Sequence, residues 1–195
     1  MARIIETRGL SPFAGGKRAE AHTLPQTLDL LDLSRVQRIL LTTDGTVTEV
    51  VEIYAGEPMR VAKLSQGLAP AEREISALSV KRGHEILSRR ILLQGKFSGE
   101  NFLYAESIIV ADRLDDEVQD SLLRCNRPIG YLITERRMET FREILEWGCE
   151  LAGPLASYFP IAETDPVVFR TYRIFANQAP IMQITEKFPA SLYLE

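Results

Sequence analysis

Glu186 is an acid in oily company. It falls in PIMQITEKFP, residues 180–189. If that stretch is a strand, alternate side chains share a face. Glu186 then lies in a row with Met182, Ile184 and Phe188, while Ile181, Gln183, Thr185 and Lys187 form a mixed opposite face. The same alternation isolates three more charges. Arg89 falls with Leu87, Ile91 and Leu93; Glu106 with Phe102, Tyr104, Ile108 and Val110; Arg173 with Phe169, Thr171 and Phe175.

A charge withdrawn from water persists only when it is paired or bound to something. One reading is a buried Arg–Glu network that fixes strand register, and another is edge-strand charge turned to solvent. Two arginines and two glutamates on apolar rows favour a third: a closed polar pocket for an anionic, partly apolar ligand. A carboxyl among Met182, Ile184 and Phe188 loses hydration, which disfavours its ionised form, whereas a neighbouring arginine opposes that.

The elements that must position these groups are strands joined by hairpins, with helices between them. Leucines at helical spacing in TLDLLDLSRVQRILLTT predict one or two short helices ending at Asp44-Gly45. TVTEVVEIYA (46–55) and PMRVAKLSQ (58–66) read as a β-hairpin around Gly56-Glu57. HEILSRRILLQG (84–95) and NFLYAESIIVA (101–111) read as a second hairpin, and VFRTYRIFAN (168–177) with PIMQITEKF as the last. Leu114, Val118 and Leu122 predict a helix behind acidic capping residues, and Pro128 starts a helical turn near Ile129. METFREILEWG (138–148) reads as strand. The segment from Ala69 to Gly83 is either helix or a mobile crossing, and residues 153–165 form a long loop. The expected architecture is α+β: one domain over residues 26–195 on a mostly antiparallel sheet, behind a loose arm at 1–25.

Composition narrows the function. The chain has 195 residues, 45% apolar and 26% charged, enough for one domain with a real core. A formal net charge of −4 leaves no footprint for nucleic acid or an anionic membrane. Cys125 and Cys149 lack metal-ligand spacing, so a disulfide framework or a Cys/His zinc site is not expected, and both read as reduced. The N-terminus lacks a signal-peptide run, and no segment reaches the length of a membrane-spanning helix. The expectation is a cytoplasmic monomer or homodimer. AGGKR departs from a phosphate loop, and neither a nucleophile elbow, a dinucleotide fingerprint nor a His-Glu-x-x-His motif is present. His84, at a strand start, reads as structural.

The order of segments carries a resemblance. LLTTDGTVTEVVE, LSRRILLQG, FLYAESIIVADRL, RPIGYLI, RMETFREILEWG and TYRIFANQAPIMQITEKFP together resemble the chorismate–pyruvate lyases, in particular the bacterial and archaeal branch outside the ubiquinone pathway. The match spans roughly residues 36–190. It implies an antiparallel sheet whose helical flaps enclose an aromatic acid, with no metal or organic cofactor. It further implies that Arg89 grips the ring carboxylate and that Glu186 faces the ring hydroxyl as acid/base. Backbone amides near Val47, Ile129 and Gly130 would share the carboxylate. Where ubiquinone-pathway members carry a second arginine, this chain has Glu106, in YAESII. The second substrate carboxylate then needs another partner, for which Arg173 and Arg170 are the candidates. Two further readings stand beside this one: a lyase for a relative of chorismate, and a non-catalytic domain that binds small aromatic acids. If the enclosure is tight, product release limits turnover, with 69–83 and 127–131 as flaps.

Overall fold

The computed structural model describes residues 32–124 and 128–194. The arm expected at 1–25, the start of the first helical stretch, Cys125 and Arg127 lie outside the described residues. Six strands form one antiparallel sheet: β1 (Met59–Pro70), β2 (Glu85–Gly95), β3 (Asn101–Ile109), β4 (Thr140–Leu151), β5 (Pro166–Ala176) and β6 (Ala179–Pro189). Their order across the sheet is β1-β2-β3-β6-β5-β4, so β6 lies at the centre, beside β3. The α+β, single-sheet architecture expected from the hairpin spacing is what the chain adopts. The tight β5–β6 turn places Asn177 and Gln178 at φ 49° and 64°, the two left-handed positions of a hairpin turn matched to strand twist.

Among the described residues, four α-helices pack on one face of the sheet in two groups. At one end, α1 (Arg35–Thr42) and α2 (Val47–Ala55) bury Leu40, Leu41, Val47 and Val51 against Leu93, Leu103 and Phe188. Ser34 and Gln37 close a reciprocal capping box at the start of α1, and Ser34 Oγ and Gln37 Nε2 also donate to the Tyr193 and Ala190 carbonyls. At the other end, α3 (Asp116–Arg124) and α4 (Ile129–Glu135) bury Val118, Leu122, Leu132 and Ile133 against Leu87, Ile174 and Ile184. Loops cover the opposite face. Residues 71–80 pack Ala71, Leu78 and Val80 on Ile86 and Ile108, while Phe159 packs on Leu92 and Tyr104.

Two expectations are corrected here. Residues 46–55 are helix α2 rather than the first strand of a hairpin. Their Val, Thr and Ile content favours strand locally, but an apolar face at Val47 and Val51 docks on the core, and Gly56 closes the helix at φ 70°. Tertiary packing outweighs propensity. The segment 69–83, expected as a flap, instead lies on the face away from helices α1 to α4, pinned by a bridge between Ile75 and Val80 and by Arg113 and Arg173 donating to carbonyls of 77–79.

Candidate functional site

Between the two helical groups the inner face of the sheet is left open, and a cavity fills the gap. It amounts to about 600 Å³ including its mouth. Its floor is Arg89, Ile91 and Leu93 of β2, Leu103, Ala105 and Ser107 of β3, Ile184 and Glu186 of β6, and Tyr172 and Ile174 of β5. Its roof is the Gly45–Thr48 turn into α2 and the Pro128–Gly130 start of α4, with Ile133 behind. The first N–H groups of a helix have no partner within it, so two such sets border the cavity. The roof is close-packed: a Cβ on Gly130 would lie 2.6 Å from Thr46 Cγ2, so only glycine fits there without a shift. Tyr131 adds a clasp, its hydroxyl donating to Glu52 of α2, whose other oxygen accepts the Met59 N–H at 2.8 Å.

Glu186 lies at the centre of the floor, 8% exposed. Arg170, 1% exposed and directly opposite on β5, donates Nε to Glu186 Oε2 at 2.8 Å. The Tyr172 hydroxyl donates to Oε1 at 3.1 Å. The arginine that would oppose the desolvation of Glu186 is thus present. Burial alone would lower the Arg170 guanidinium, but the Glu186 carboxylate beside it raises it on balance. Burial first, then the Glu186 charge, pushes the Tyr172 phenol far upward, so it remains a donor. The Arg170 guanidinium also stacks 4.8 Å from the Tyr172 ring centroid and donates to the Thr43 carbonyl at 2.6 Å, which holds the turn into α2.

Arg89 is 2% exposed, and burial pulls its guanidinium below the usual value. A guanidinium remains charged even so, and its planar fork suits a carboxylate. The cavity therefore joins a cation on β2 to a hydrogen-bonded carboxylate on β6 across apolar walls.

Of the residues singled out from sequence, Arg89, Glu186, Val47, Ile129 and Gly130 all line this cavity. Glu106 and Arg173 do not. Glu106 lies on the opposite face, where it accepts from the Tyr104 hydroxyl at 2.6 Å and pairs with Arg90 at 3.7 Å. Arg173 also lies there, its Nε 2.8 Å from Glu143. Strand β3 is buried on two faces and the outer row of β5 is apolar but half-buried, so apolar rows do not identify the inner face of either strand. Arg170 lies on the inner face, but as the partner of Glu186. Two ionisable residues of the cavity, Tyr172 and Arg142, were not singled out from sequence. Tyr172 shares the alternation that puts Ile174 and Arg170 on one face, a signal that was available. Arg142, in METFREILEWG, projects from the edge strand β4 and donates to the Asp44 carbonyl at 2.7 Å.

Among the described residues, no helix is long and apolar enough to cross a membrane. An antiparallel sheet with helices roofing a cavity on one face defines an α+β fold. The same fold occurs in the effector domain of PhnF from Mycobacterium smegmatis, with a TM-score of 0.61 at 14% identity, over 77% of this chain and 92% of that one. Sequence gives a sharper relation. Chorismate pyruvate-lyase from Mycobacterium leprae is 35% identical over 166 residues, covering 85% of this chain and 79% of that protein. Chorismate pyruvate-lyase from Mycobacterium tuberculosis is 32% identical over 169 residues, covering 85% of each. Residues 41–194 match the model of the chorismate pyruvate-lyase Rv2949c-like family, and the chain belongs to that family.

Proposed function

We propose that the protein converts chorismate to 4-hydroxybenzoate and pyruvate. One observation carries this reading: Arg89 and Glu186, from strands two apart, line one largely apolar cavity and differ in what they can do. Arg89 receives the ring carboxylate, with the N–H groups at the starts of α2 and α4 beside it. Glu186 faces the hydroxyl at ring carbon 4.

The bond changes are an elimination. The C3–O bond to the enolpyruvyl group breaks, and the hydrogen on C4 leaves as a proton. The electrons of that C–H bond complete the aromatic ring. The departing enolpyruvate takes one proton on its methylene carbon and becomes pyruvate, so atoms and charge balance without a redox partner. Glu186 accepts the C4 proton and returns a proton to the leaving group, while Arg170 and Tyr172 fix its orientation. Aromatisation supplies the driving force. The protein contributes alignment, exclusion of water and a positioned proton carrier.

The test is incubation of the purified protein with chorismate, followed by quantification of both products. Equimolar 4-hydroxybenzoate and pyruvate are expected. Binding of 4-hydroxybenzoate without pyruvate release would point to a ligand-binding domain, and a different aromatic acid from an amino or iso relative would shift the substrate.

A further inference from the structure

Chorismate carries two carboxylates, and Arg89 can serve only one. Among the described residues, the arginines lining the cavity are Arg89 and Arg142. Arg170 is committed to Glu186 and to the Thr43 carbonyl. Arg173, offered by sequence for this task, lies on the opposite face beside Glu143. Arg142 has its Nη1 on the Asp44 carbonyl, and no carboxylate of a described residue pairs with it. A guanidinium has five N–H donors, so the single bond to Asp44 leaves others for a ligand in the cavity that Arg142 lines.

The strand order gives the geometry. Glu186 is on β6, which lies two strands from β2 with Arg89 and two strands from β4 with Arg142. Across the sheet those separations are roughly 10 Å each at strand spacing. Along the strands, Arg89 is level with Ile184 and Arg142 with Met182, both displaced from Glu186 towards the same end of β6, and both arginines line the cavity. In chorismate the ring carboxylate is para to the C4 hydroxyl, and the enolpyruvyl ether leaves from the adjacent C3. With the ring carboxylate at β2 and the hydroxyl at Glu186, the second carboxylate extends past β6 towards β5 and β4.

We propose that Arg142, from β4, receives the second carboxylate of the substrate. The assignment rests on the chorismate reading for its substrate, but its test does not require turnover. It also explains how selectivity for a dianion over the product arises, since 4-hydroxybenzoate lacks the group that Arg142 holds. The Asp44 bond then serves to orient the guanidinium and to tie it to the turn into α2.

The experiment compares two ligands by calorimetry: 4-hydroxybenzoate, and 3-(carboxymethoxy)-4-hydroxybenzoate, a stable acid whose second carboxylate sits on an ether beside the hydroxyl. The wild-type chain binds the dicarboxylate more tightly. Arg142→Met weakens the dicarboxylate roughly 10²-fold and 4-hydroxybenzoate less than about threefold. Arg142→Gln, which keeps a donor for the Asp44 carbonyl without the charge, shows the same selective loss, and Arg142→Lys regains part of it. Equal weakening of both ligands would mean that Arg142 only holds the turn, and unchanged binding of both would mean that it does not meet ligand; either overturns the assignment. A wild-type chain that shows the selective pattern but releases no pyruvate from chorismate would keep Arg142 as a carboxylate site and reject the lyase reading instead.

Discussion

Arg170 and Glu186 occupy directly paired positions on β5 and β6, their Nε and Oε2 atoms 2.8 Å apart, with both side chains at least nine-tenths buried. Such a pair is strongly held only as a pair. Arg170→Met leaves the Glu186 carboxylate buried without its counter-charge, and a loss of about 3–5 kcal/mol in unfolding free energy is expected. Urea denaturation measures it. Adding Glu186→Leu to Arg170→Met should recover most of the loss; a double variant no more stable than the single would contradict the pairing account.

Tyr172→Phe separates orientation from stability. The ring under the Arg170 guanidinium stays, but the donor to Glu186 Oε1 is removed. A hydrogen bond to a charged group is worth about 1.5–3 kcal/mol, so kcat on chorismate should fall by roughly 10- to 10²-fold with the cavity otherwise intact. Unchanged kcat would show that Glu186 is held well enough by Arg170 alone.

The roof offers a steric test. Gly130→Ala sets a methyl against Thr46 Cγ2, at 2.6 Å in the present geometry, and α4 must shift away from α2. Misplacing the N–H groups by about 1 Å should lower kcat/KM up to about 10²-fold. Thr46→Ser removes the offending methyl and should restore activity in the double variant. Failure of that rescue would place the defect elsewhere.

Alkaline pH should open the clasp between the roof helices. Burial, then the Glu52 bond, pushes the Tyr131 phenol up to about 12 from its usual 10. A raised folded-state value means that the neutral hydroxyl is the stabilised form. Its contribution is complete below pH 10 and is lost as the pH rises through about 12. The stability difference between wild type and Tyr131→Phe should therefore be constant at neutral pH and vanish over that window. Below it, Tyr131→Phe should release 4-hydroxybenzoate faster in stopped-flow measurements. A difference that grows with pH would reverse the assignment.

Glu106→Gln provides the contrast. Glu106 bonds Tyr104 on the face away from the cavity, so KM and kcat for chorismate should match wild type. A large change in either would bring β3 back into the site.

Much of this site was legible in the sequence, and the gaps have physical causes. Glu186 stood out because β6 alternates around it, as in Ile184-Thr185-Glu186-Lys187, where odd positions are half-exposed and even ones buried, and Arg89 because it is buried between half-buried Ser88 and Arg90. On β3 that contrast disappears: Phe102 to Ala105 are all buried, because loops cover one face and helices the other. The row containing Glu106 was as apolar as the row facing the cavity. Helix α2 was misread because Val47 and Val51 are chosen for packing on Leu93 and Leu103, not for propensity. Arg142 escaped because β4 is half-exposed along most of its length, so no apolar row marks the charge.

The central claim is that Glu186 carries the proton in the elimination. The direct measurement is the rate of pyruvate release from chorismate by Glu186→Gln, in protein whose folding and 4-hydroxybenzoate binding have been verified. A fall of about 10²- to 10⁴-fold is predicted. A rate close to wild type would contradict the account.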